Sequence, residues 1–141
     1  MDVATLAASL IRVFEGVRLA AYWDPTGKVW SIAFGRTSGV KQGDTCTFEQ
    51  AIAWLAEDSA PLIALVADRP VLEAAALTSF AYNCGEGALK RVLAGSITVD
   101  HEEFWAGESS YGEVSGGVRL PGLFARRQLE AALIEVSRGT S

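Results

Sequence analysis

Residues Phe14–Gly27 read FEGVRLAAYWDPTG, and this stretch marks a change from helical to strand-like sequence. Over the roughly fifteen residues up to Gly16, apolar side chains recur at three- and four-residue intervals, which predicts an amphipathic helix ending near this glycine. From Tyr22 to about Thr45, aromatic and β-branched residues alternate with turn residues, which predicts a small β-hairpin or three-stranded lobe. The stretch is therefore a junction between a first helix and a small sheet.

The rest of the chain predicts helices. Thr47 and Gln50 have the order of a capping box, in which each side chain accepts from the other residue's backbone N–H, so a long helix is expected to start there, with Pro61 as a kink or break. An almost wholly apolar helix follows from Val71 to Asn83, and Gly85 favours a left-handed stop. Further expectations are short helical pieces at 88–93 and 100–106, a Gly/Ser-rich loop over 107–117, and a last helix from about Pro121 to Ser137.

The length and composition fit one domain. A chain of 141 residues that is 50% hydrophobic and 21% charged is long enough to bury its own core. The order of elements predicts an α+β fold over residues 1–141: an N-terminal helix, a small antiparallel β-lobe over about residues 20–46, and a mainly helical lobe over about residues 47–138 that includes the first helix.

Charge and hydropathy argue against several classes of partner. The net charge is −5 and no stretch clusters Lys and Arg, whereas a phosphate backbone needs concentrated positive charge, so no nucleic-acid partner is expected. No apolar run approaches the roughly 20 residues that span a bilayer, and the start from Met1 to Thr5 lacks the basic region of a signal peptide. These features predict a soluble protein made inside the cell, without membrane insertion.

Metal and cofactor chemistry is not expected either. The chain has one histidine, His101, and two cysteines, Cys46 and Cys84, which are too few for a zinc site or a disulfide scaffold. His101 lies beside two glutamates and is interpreted as a surface residue. The cysteines either stay free or pair in an oxidising compartment, and sequence leaves both alternatives open.

Two carboxylates flank the helix-to-sheet junction. Glycoside hydrolysis needs a protonated acid on the leaving oxygen and a second carboxylate on the opposite face of the sugar ring. Glu15 at a helix end and Asp24 at a strand end are candidates for these roles. In a chain with 17 acidic residues, however, such a pair arises readily by chance, so its spacing alone is a weak signal.

Four ordered blocks resemble the phage-type lysozymes, the endolysins of glycoside hydrolase family 24. The first contains FEGVRLAAYWD and WSIAFGRT, the family's active-site segment. The others resemble its sheet-to-helix junction, its central helix and its final helix, and they lie at Gly43–Ala51, Ala76–Gly85 and Leu120–Glu130. The blocks cover nearly the whole chain.

This resemblance implies a lysozyme-like fold with an active-site cleft between the lobes. It also implies hydrolysis of the β-1,4 bond between N-acetylmuramic acid and N-acetylglucosamine in peptidoglycan, with inversion, leading to lysis of the host cell. By resemblance, the catalytic residues are Glu15, Asp24 and Ser31, the last standing where the family commonly has Thr. The implied substrate-binding residues are Gly35, Arg36, Tyr82 and Asn83, although Tyr82 as a core residue and Asn83 as a helix cap are equal alternatives.

The chain departs from the family pattern at two places. Six residues separate Asp24 from Ser31 where five are common, which predicts an extra hairpin residue near Lys28. The family's Ile-Gly-Tyr-Gly-His-Thr is Ile-Ala-Phe-Gly-Arg-Thr here, which places a permanent charge at Arg36. A guanidinium beside Asp24 would hold that carboxylate ionised, whereas one beside Glu15 would oppose an acid.

The remaining charged and aromatic residues have mainly structural interpretations. At least one of Arg126 and Arg127 is expected to form a buried ion pair with the first helix. Trp54 and Trp105 are expected in the core, and Trp23 and Trp30 are assigned to neither core nor ligand platform.

Two other functions remain open at this stage. A lytic transglycosylase would need no catalytic Asp, so Asp24 favours simple hydrolysis. An inactive domain that binds glycan or serves a virion as a structural part is the second alternative, favoured by the departures at Ser31 and Arg36. For the hydrolase, the resemblance implies a monomer that reaches the periplasm through a separate holin-type membrane pore.

Overall fold

The computed structural model describes residues 1–95, 113–114, 118–119 and 121–139. Within these ranges the chain forms five helices and two antiparallel two-stranded sheets. In chain order the elements are α1 (Val3–Glu15), β1 (Arg18–Asp24), β2 (Val29–Ala33), α2 (Phe48–Leu65), α3 (Val71–Cys84), α4 (Glu86–Leu93), β3 (Glu113–Val114), β4 (Val118–Arg119) and α5 (Pro121–Arg138). This arrangement confirms the predicted α+β class.

Helix α1 ends where the sequence predicts. The carboxylate of Asp2 caps its first turn by accepting from the backbone N–H of Thr5 at 2.7 Å. At the other end Gly16 has φ +64°, a left-handed value that favours glycine, and its N–H donates to the carbonyl of Arg12. Glu15 is therefore the last helical residue, immediately before the turn into β1.

Strands β1 and β2 form the predicted hairpin. Its cross-strand pairs are Asp24 with Val29, Trp23 with Trp30 and Tyr22 with Ser31. The turn spans residues 25–28, and Lys28 takes up a left-handed conformation with φ +54°. An isolated bridge between Ala20 and Thr45 is the closest approach to a third strand beside this hairpin in the described part of the chain.

Helix α2 begins with the predicted capping box. The Thr47 hydroxyl accepts from Gln50 N–H at 3.1 Å, and the Gln50 side chain accepts from Thr47 N–H at 2.8 Å. Of the kink or break expected at Pro61, the break does not occur, because the helix continues to Leu65. Pro61 is exposed, so water can satisfy the carbonyl that loses its N–H partner.

Helix α3 is the centre of the core, as its apolar sequence predicts. Its residues 73–81 are all buried, and it contacts α1, α2, α4 and α5. Gly85, with φ +98°, ends the helix by donating its N–H to the carbonyl of Ala81 at 2.7 Å. Since α1 and α5 both pack on α3, side chains distant in sequence meet beside it.

The C-terminal expectations have mixed outcomes. Helix α4 starts at Glu86, two residues before the predicted piece, and α5 agrees with the predicted last helix to within one residue. The loop expected over 107–117 contains β3, which pairs with β4 in a short ladder. The helical piece expected at 100–106, with His101 and Trp105, lies outside the described residues.

Among the residues that the structure describes, no helix is long and apolar enough to cross a membrane.

Candidate active site

The Glu15 carboxylate lies between a buried guanidinium and a glycine. Its Oε1 accepts a hydrogen bond from Arg126 Nη1 at 2.6 Å, and 22% of the Glu15 side chain is exposed. The other oxygen, Oε2, lies 3.4 Å from the position that a Cβ atom would occupy on Gly35. One carboxylate oxygen is therefore fixed by an ion pair, while the other faces a backbone position without a side chain.

A tight turn after β2 brings Gly35 to Glu15. The backbone N–H groups of Gly35 and Arg36 both donate to the carbonyl of Ile32, at 3.1 and 2.9 Å. Ala33 and Gly35 have φ values of +58° and +93°, so the turn contains two left-handed residues. Tyr82 on α3 holds the turn through its hydroxyl, which donates to the carbonyl of Phe34 at 2.8 Å.

Asp24 and Ser31 lie on one face of the hairpin. Ser31 pairs with Tyr22, and Asp24 is two residues after Tyr22, so alternation along β1 places all three side chains on the same side. Asp24 Oδ1 accepts from the backbone N–H of Thr26 at 2.9 Å, whereas Ser31 is only 3% exposed. The structure thus places these two sequence-predicted residues on the same face of the hairpin, with Asp24 partly exposed and Ser31 buried.

Tyr82 and Asn83 both have structural partners. Burial raises the pKa of the Tyr82 hydroxyl, and the nearby carboxylates of Asp58 and Glu15 raise it further, so this hydroxyl is a neutral donor. Asn83 is exposed, and its Oδ1 accepts from Arg127 Nη1 at 2.9 Å. These contacts leave part of the Tyr82 ring and the Asn83 amide NH₂ available to a ligand.

Arg36 forms ion pairs away from the two candidate carboxylates. Its guanidinium lies 3.7 Å from Glu57 and 3.5 Å from Asp58, and it stacks over the Trp54 ring at 5.0 Å. Neither placement considered from the sequence, beside Asp24 or beside Glu15, occurs. Burial raises the pKa of Asp58, Arg36 lowers it, and Glu57 raises it.

Arg126 supplies the cation that meets Glu15. It is 2% exposed and lies 111 positions from Glu15 in sequence. Its Nη2 donates to the carbonyl of Ser79 at 2.9 Å, and its Nε contacts Ser79 Oγ at 3.2 Å and Glu130 Oε2 at 3.4 Å. The predicted ion pair between α5 and the first helix is therefore confirmed, and it involves the candidate acid itself.

Known proteins share the sequence pattern and the architecture of this chain. A family model described as phage lysozyme matches residues 12–130, which include Glu15, Asp24, Ser31, Arg126 and Arg127. This chain belongs to the phage lysozyme family.

Relatives of this phage lysozyme cover most of its length. The endolysin of Acyrthosiphon pisum secondary endosymbiont phage 1 is 35% identical and covers 96% of this chain and 99% of its own. The muramidase domain of SpmX from Asticaccaulis excentricus has a TM-score of 0.71 at 30% identity, covering 91% of this chain and 93% of its own. The endolysin from Escherichia coli O157:H7 phage FAHEc1 also has a TM-score of 0.71, at 29% identity, with 95% of this chain and 93% of its own covered.

These relationships make the phage lysozyme described here a glycoside hydrolase that acts on the peptidoglycan of the bacterial cell wall. Within the described ranges, no group of three or more His, Cys, Asp or Glu side chains is placed to hold a metal ion.

Sequence reasoning missed two residues of this phage lysozyme's site. Ser79 and Glu130 had no assigned role, yet both contact the guanidinium that holds Glu15. A signal was present, because Arg126 and Arg127 precede Glu130 by four and three residues, the spacings at which charges pair on a helix.

Proposed function

We propose that this phage lysozyme cleaves the β-1,4 bond between N-acetylmuramic acid and N-acetylglucosamine, with Glu15 as the general acid. The observation that carries this proposal is that the two oxygens of the Glu15 carboxyl group have different surroundings. Oε1 is held by Arg126 at 2.6 Å, so Oε2, beside Gly35, is the oxygen that carries the proton and gives it to the glycosidic oxygen. Because Gly35 has no side chain, a sugar can approach Oε2 closely.

Asp24 acts as the carboxylate on the other face of the sugar ring. It stabilises the oxocarbenium-like transition state and, with the Ser31 hydroxyl, orients the attacking water. The shared face of the hairpin and the hydrogen bond from Thr26 N–H to Asp24 Oδ1 support this role. Attack by water opposite the leaving group inverts the anomeric centre.

The glycan is bound by Gly35, Arg36, Tyr82 and Asn83. A cavity of about 250 Å³ has the first three in its lining, together with Asp58. Its mixture of an aromatic ring, a guanidinium and a carboxylate fits a sugar, which presents both apolar faces and hydroxyl groups. The exposed amide of Asn83 is placed to donate to an N-acetyl carbonyl.

In the cell, the enzyme acts on the wall from the periplasm. It reaches that compartment as a monomer through a holin-type pore made by a separate protein. Prompt lysis of cells that express this protein alone would contradict the dependence on a pore.

The central test is mass spectrometry of fragments released from purified Gram-negative peptidoglycan by the wild type and by Glu15→Gln. The expected result is fragments with reducing muramic ends from the wild type and none from the variant, because glutamine keeps the shape of the side chain but has no acidic proton. Anhydro ends would identify a lytic transglycosylase instead. No fragments from either protein would favour the glycan-binding or virion structural alternative.

The roles of Asp24 and Ser31 have separate tests. Asp24→Asn is expected to lose most activity, and Ser31→Ala to lose less, because the serine only helps to orient the water. Proton NMR of the first product formed on soluble glycan strands reports the anomer released. The anomer opposite to that of the substrate bond is expected, and the retained anomer would exclude direct attack by water.

A further inference from the structure

A cluster of buried charges lies behind Glu15. It joins α1, α3 and α5 and consists of Arg126, Arg127, Glu130 and the Ser79 hydroxyl, which are all between 0% and 2% exposed. Isolated charges are costly to bury, so such a cluster persists only when its members neutralise one another. The proposed mechanism uses only its edge, where Arg126 meets Glu15.

Glu130 is the buried carboxylate of this cluster, and each of its oxygens faces donors. Oε2 accepts from Ser79 Oγ at 2.6 Å and from Arg127 Nη2 at 3.0 Å, and it lies 3.4 Å from Arg126 Nε. Oε1 lies 2.6 Å from Arg127 Nε. Burial raises the pKa of Glu130 above its ordinary value, although Arg127, Ser79 and Arg126 oppose this effect. Among the described residues Oε1 forms no hydrogen bond, but three donors surround Oε2 and a guanidinium lies beside Oε1, which is the environment of an acceptor in its ionised form.

The charges of the cluster bear directly on Glu15. Arg126 contacts both carboxylates, with its Nη1 2.6 Å from Glu15 Oε1 and its Nε 3.4 Å from Glu130 Oε2. Arg126 therefore favours the ionised form of Glu15, which is the wrong form for a general acid. Glu130 opposes this effect, because its negative charge lies 3.4 Å from the same guanidinium and weakens the attraction between Arg126 and ionised Glu15.

The other titratable groups around this cluster are either neutral or paired with an opposite charge. On α3, the Tyr82 hydroxyl faces Glu15 and stays neutral. Beyond it, Arg36 is paired with Asp58 on α2. The Cys84 thiol faces Arg127 and Glu130, and burial raises its pKa, so it adds no charge. In the described part of the chain, Glu130 and Glu15 are the carboxylates in contact with Arg126.

We infer that Glu130 is a positioning residue that acts through Arg126, fixing the guanidinium against Glu15 while cancelling enough of its charge for Glu15 to keep its proton at the pH of the cell wall. This inference rests on the proposed role of Glu15 as the acid. It assigns a catalytic consequence to a residue that does not touch the substrate. Removing the charge of Glu130 would leave Glu15 as the carboxylate in contact with Arg126 in the described part of the chain, so Glu15 would lose its proton at a lower pH.

The test is the pH profile of kcat/KM on soluble glycan strands for the wild type, Glu130→Gln, Glu130→Asp and Glu49→Gln. Loss of the acid's proton sets the alkaline limb of this profile. Glu130→Gln is expected to move that limb down by about one pH unit, in the range of shifts that one nearby charge produces. Glu130→Asp keeps the charge, so its alkaline limb is expected to stay close to that of the wild type. Glu49→Gln removes one negative charge from the exposed start of α2 and is expected to move nothing.

A second readout does not depend on turnover. The Glu15 carboxyl carbon is followed by NMR against pH in folded protein, and Glu130→Gln is expected to lower its midpoint in step with the kinetic limb. Should Glu130→Gln fail to fold, Ser79→Ala takes its place. That variant removes the 2.6 Å hydrogen bond that stabilises ionised Glu130, so a smaller shift in the same direction is expected.

The outcomes separate this inference from the proposed function. An inactive Glu15→Gln enzyme together with an unmoved limb and midpoint in Glu130→Gln would overturn the inference and leave the function standing. Full activity of Glu15→Gln would overturn the proposed function. An equal shift in Glu49→Gln would show a general charge effect and would also overturn the inference.

Discussion

Gly35 shows how one residue controls access to the candidate acid. Its φ of +93° costs glycine little but strains any residue with a side chain. A Cβ atom there would also lie 3.4 Å from Glu15 Oε2, the oxygen proposed to carry the proton. The backbone conformation and the open approach to Glu15 therefore both depend on glycine at this position.

Gly35→Ala is expected to lower activity at least tenfold, because its methyl group shields Glu15 Oε2 from the glycan. Strain should also cost about 1 kcal/mol of stability. Gly39→Ala is a matched control, since Gly39 has φ +71° but no atom within 4 Å of a Cβ placed there. Peptidoglycan release and thermal unfolding of both variants check this. Equal activity losses would show that strain, rather than shielding, is responsible.

Asp58 is a single residue through which the stability of the protein depends on pH. Burial raises its pKa above the ordinary value of 3.8 in the folded state, despite the opposing effect of Arg36. Folded protein therefore holds this proton more tightly than unfolded protein, and the contribution of Asp58 to stability falls as pH rises from below 3.8 through the raised pKa.

Asp58→Asn, which has no such proton to lose, is expected to gain stability relative to the wild type as pH rises from about 3 to 6. The gain should be below about 1 kcal/mol, because the pair with Arg36 is partly exposed. Denaturant unfolding at both pH values measures it, with Asp68→Asn as an exposed control. A relative loss over this interval would show that the ion pair outweighs burial.

At the scale of elements, the helix ends position the site. Gly16 ends α1 so that Glu15 is its last residue, and the capping box starts α2 directly after the β-lobe. Both ends are formed by residues within four positions of one another. The junction between sheet and helices is therefore built from local hydrogen bonds.

Thr47→Ala removes both the hydroxyl acceptor and the reciprocal geometry of the capping box, and it is expected to cost about 1 kcal/mol. Activity at 25 °C should be unchanged, since α2 is fixed by its packing on α1 and α3. Denaturant unfolding and peptidoglycan release measure the two effects. Thr45→Ala, which removes an exposed hydroxyl that caps no helix, should leave stability within about 0.5 kcal/mol of the wild type.

At the scale of the whole molecule, the net charge opposes encounter with an anionic wall. The chain carries −5, and electrostatic steering favours partners of opposite sign. In the described part of the chain the buried charges are of both signs, namely Arg126, Arg127, Glu73 and Glu130. The negative net charge is therefore carried mainly by exposed side chains.

Lysis of permeabilised Gram-negative cells is therefore expected to quicken severalfold as salt rises from about 10 to 150 mM, because screening shortens the range of repulsion. Turbidity measured against salt concentration checks this. Glu49→Lys adds two positive units on an exposed helix end and should weaken the salt dependence. A rate that falls with added salt would show that local attraction outweighs the net charge.

The sequence by itself determined the elements and the candidate carboxylates. Apolar periodicity predicted α1, an almost wholly apolar run predicted α3, and the order of Thr47 and Gln50 predicted the start of α2. These helix predictions succeed because helix periodicity, caps and tight turns depend on residues a few positions apart. The resemblance suggested Glu15, Asp24 and Ser31 as catalytic residues, and these roles stay predictions. Of the kink or break expected at Pro61, the break does not occur, because the exposed side of the helix tolerates a proline.

Only the tertiary structure decided which charges meet. Arg36, close to both candidate carboxylates in sequence, pairs instead with Glu57 and Asp58, and Arg126 reaches Glu15 from 111 positions away. The packing of α1 and α5 on α3 brings these partners together. A charge has no periodicity that predicts its partner, because the Coulomb energy depends on distance and burial, which are set only once the helices have packed.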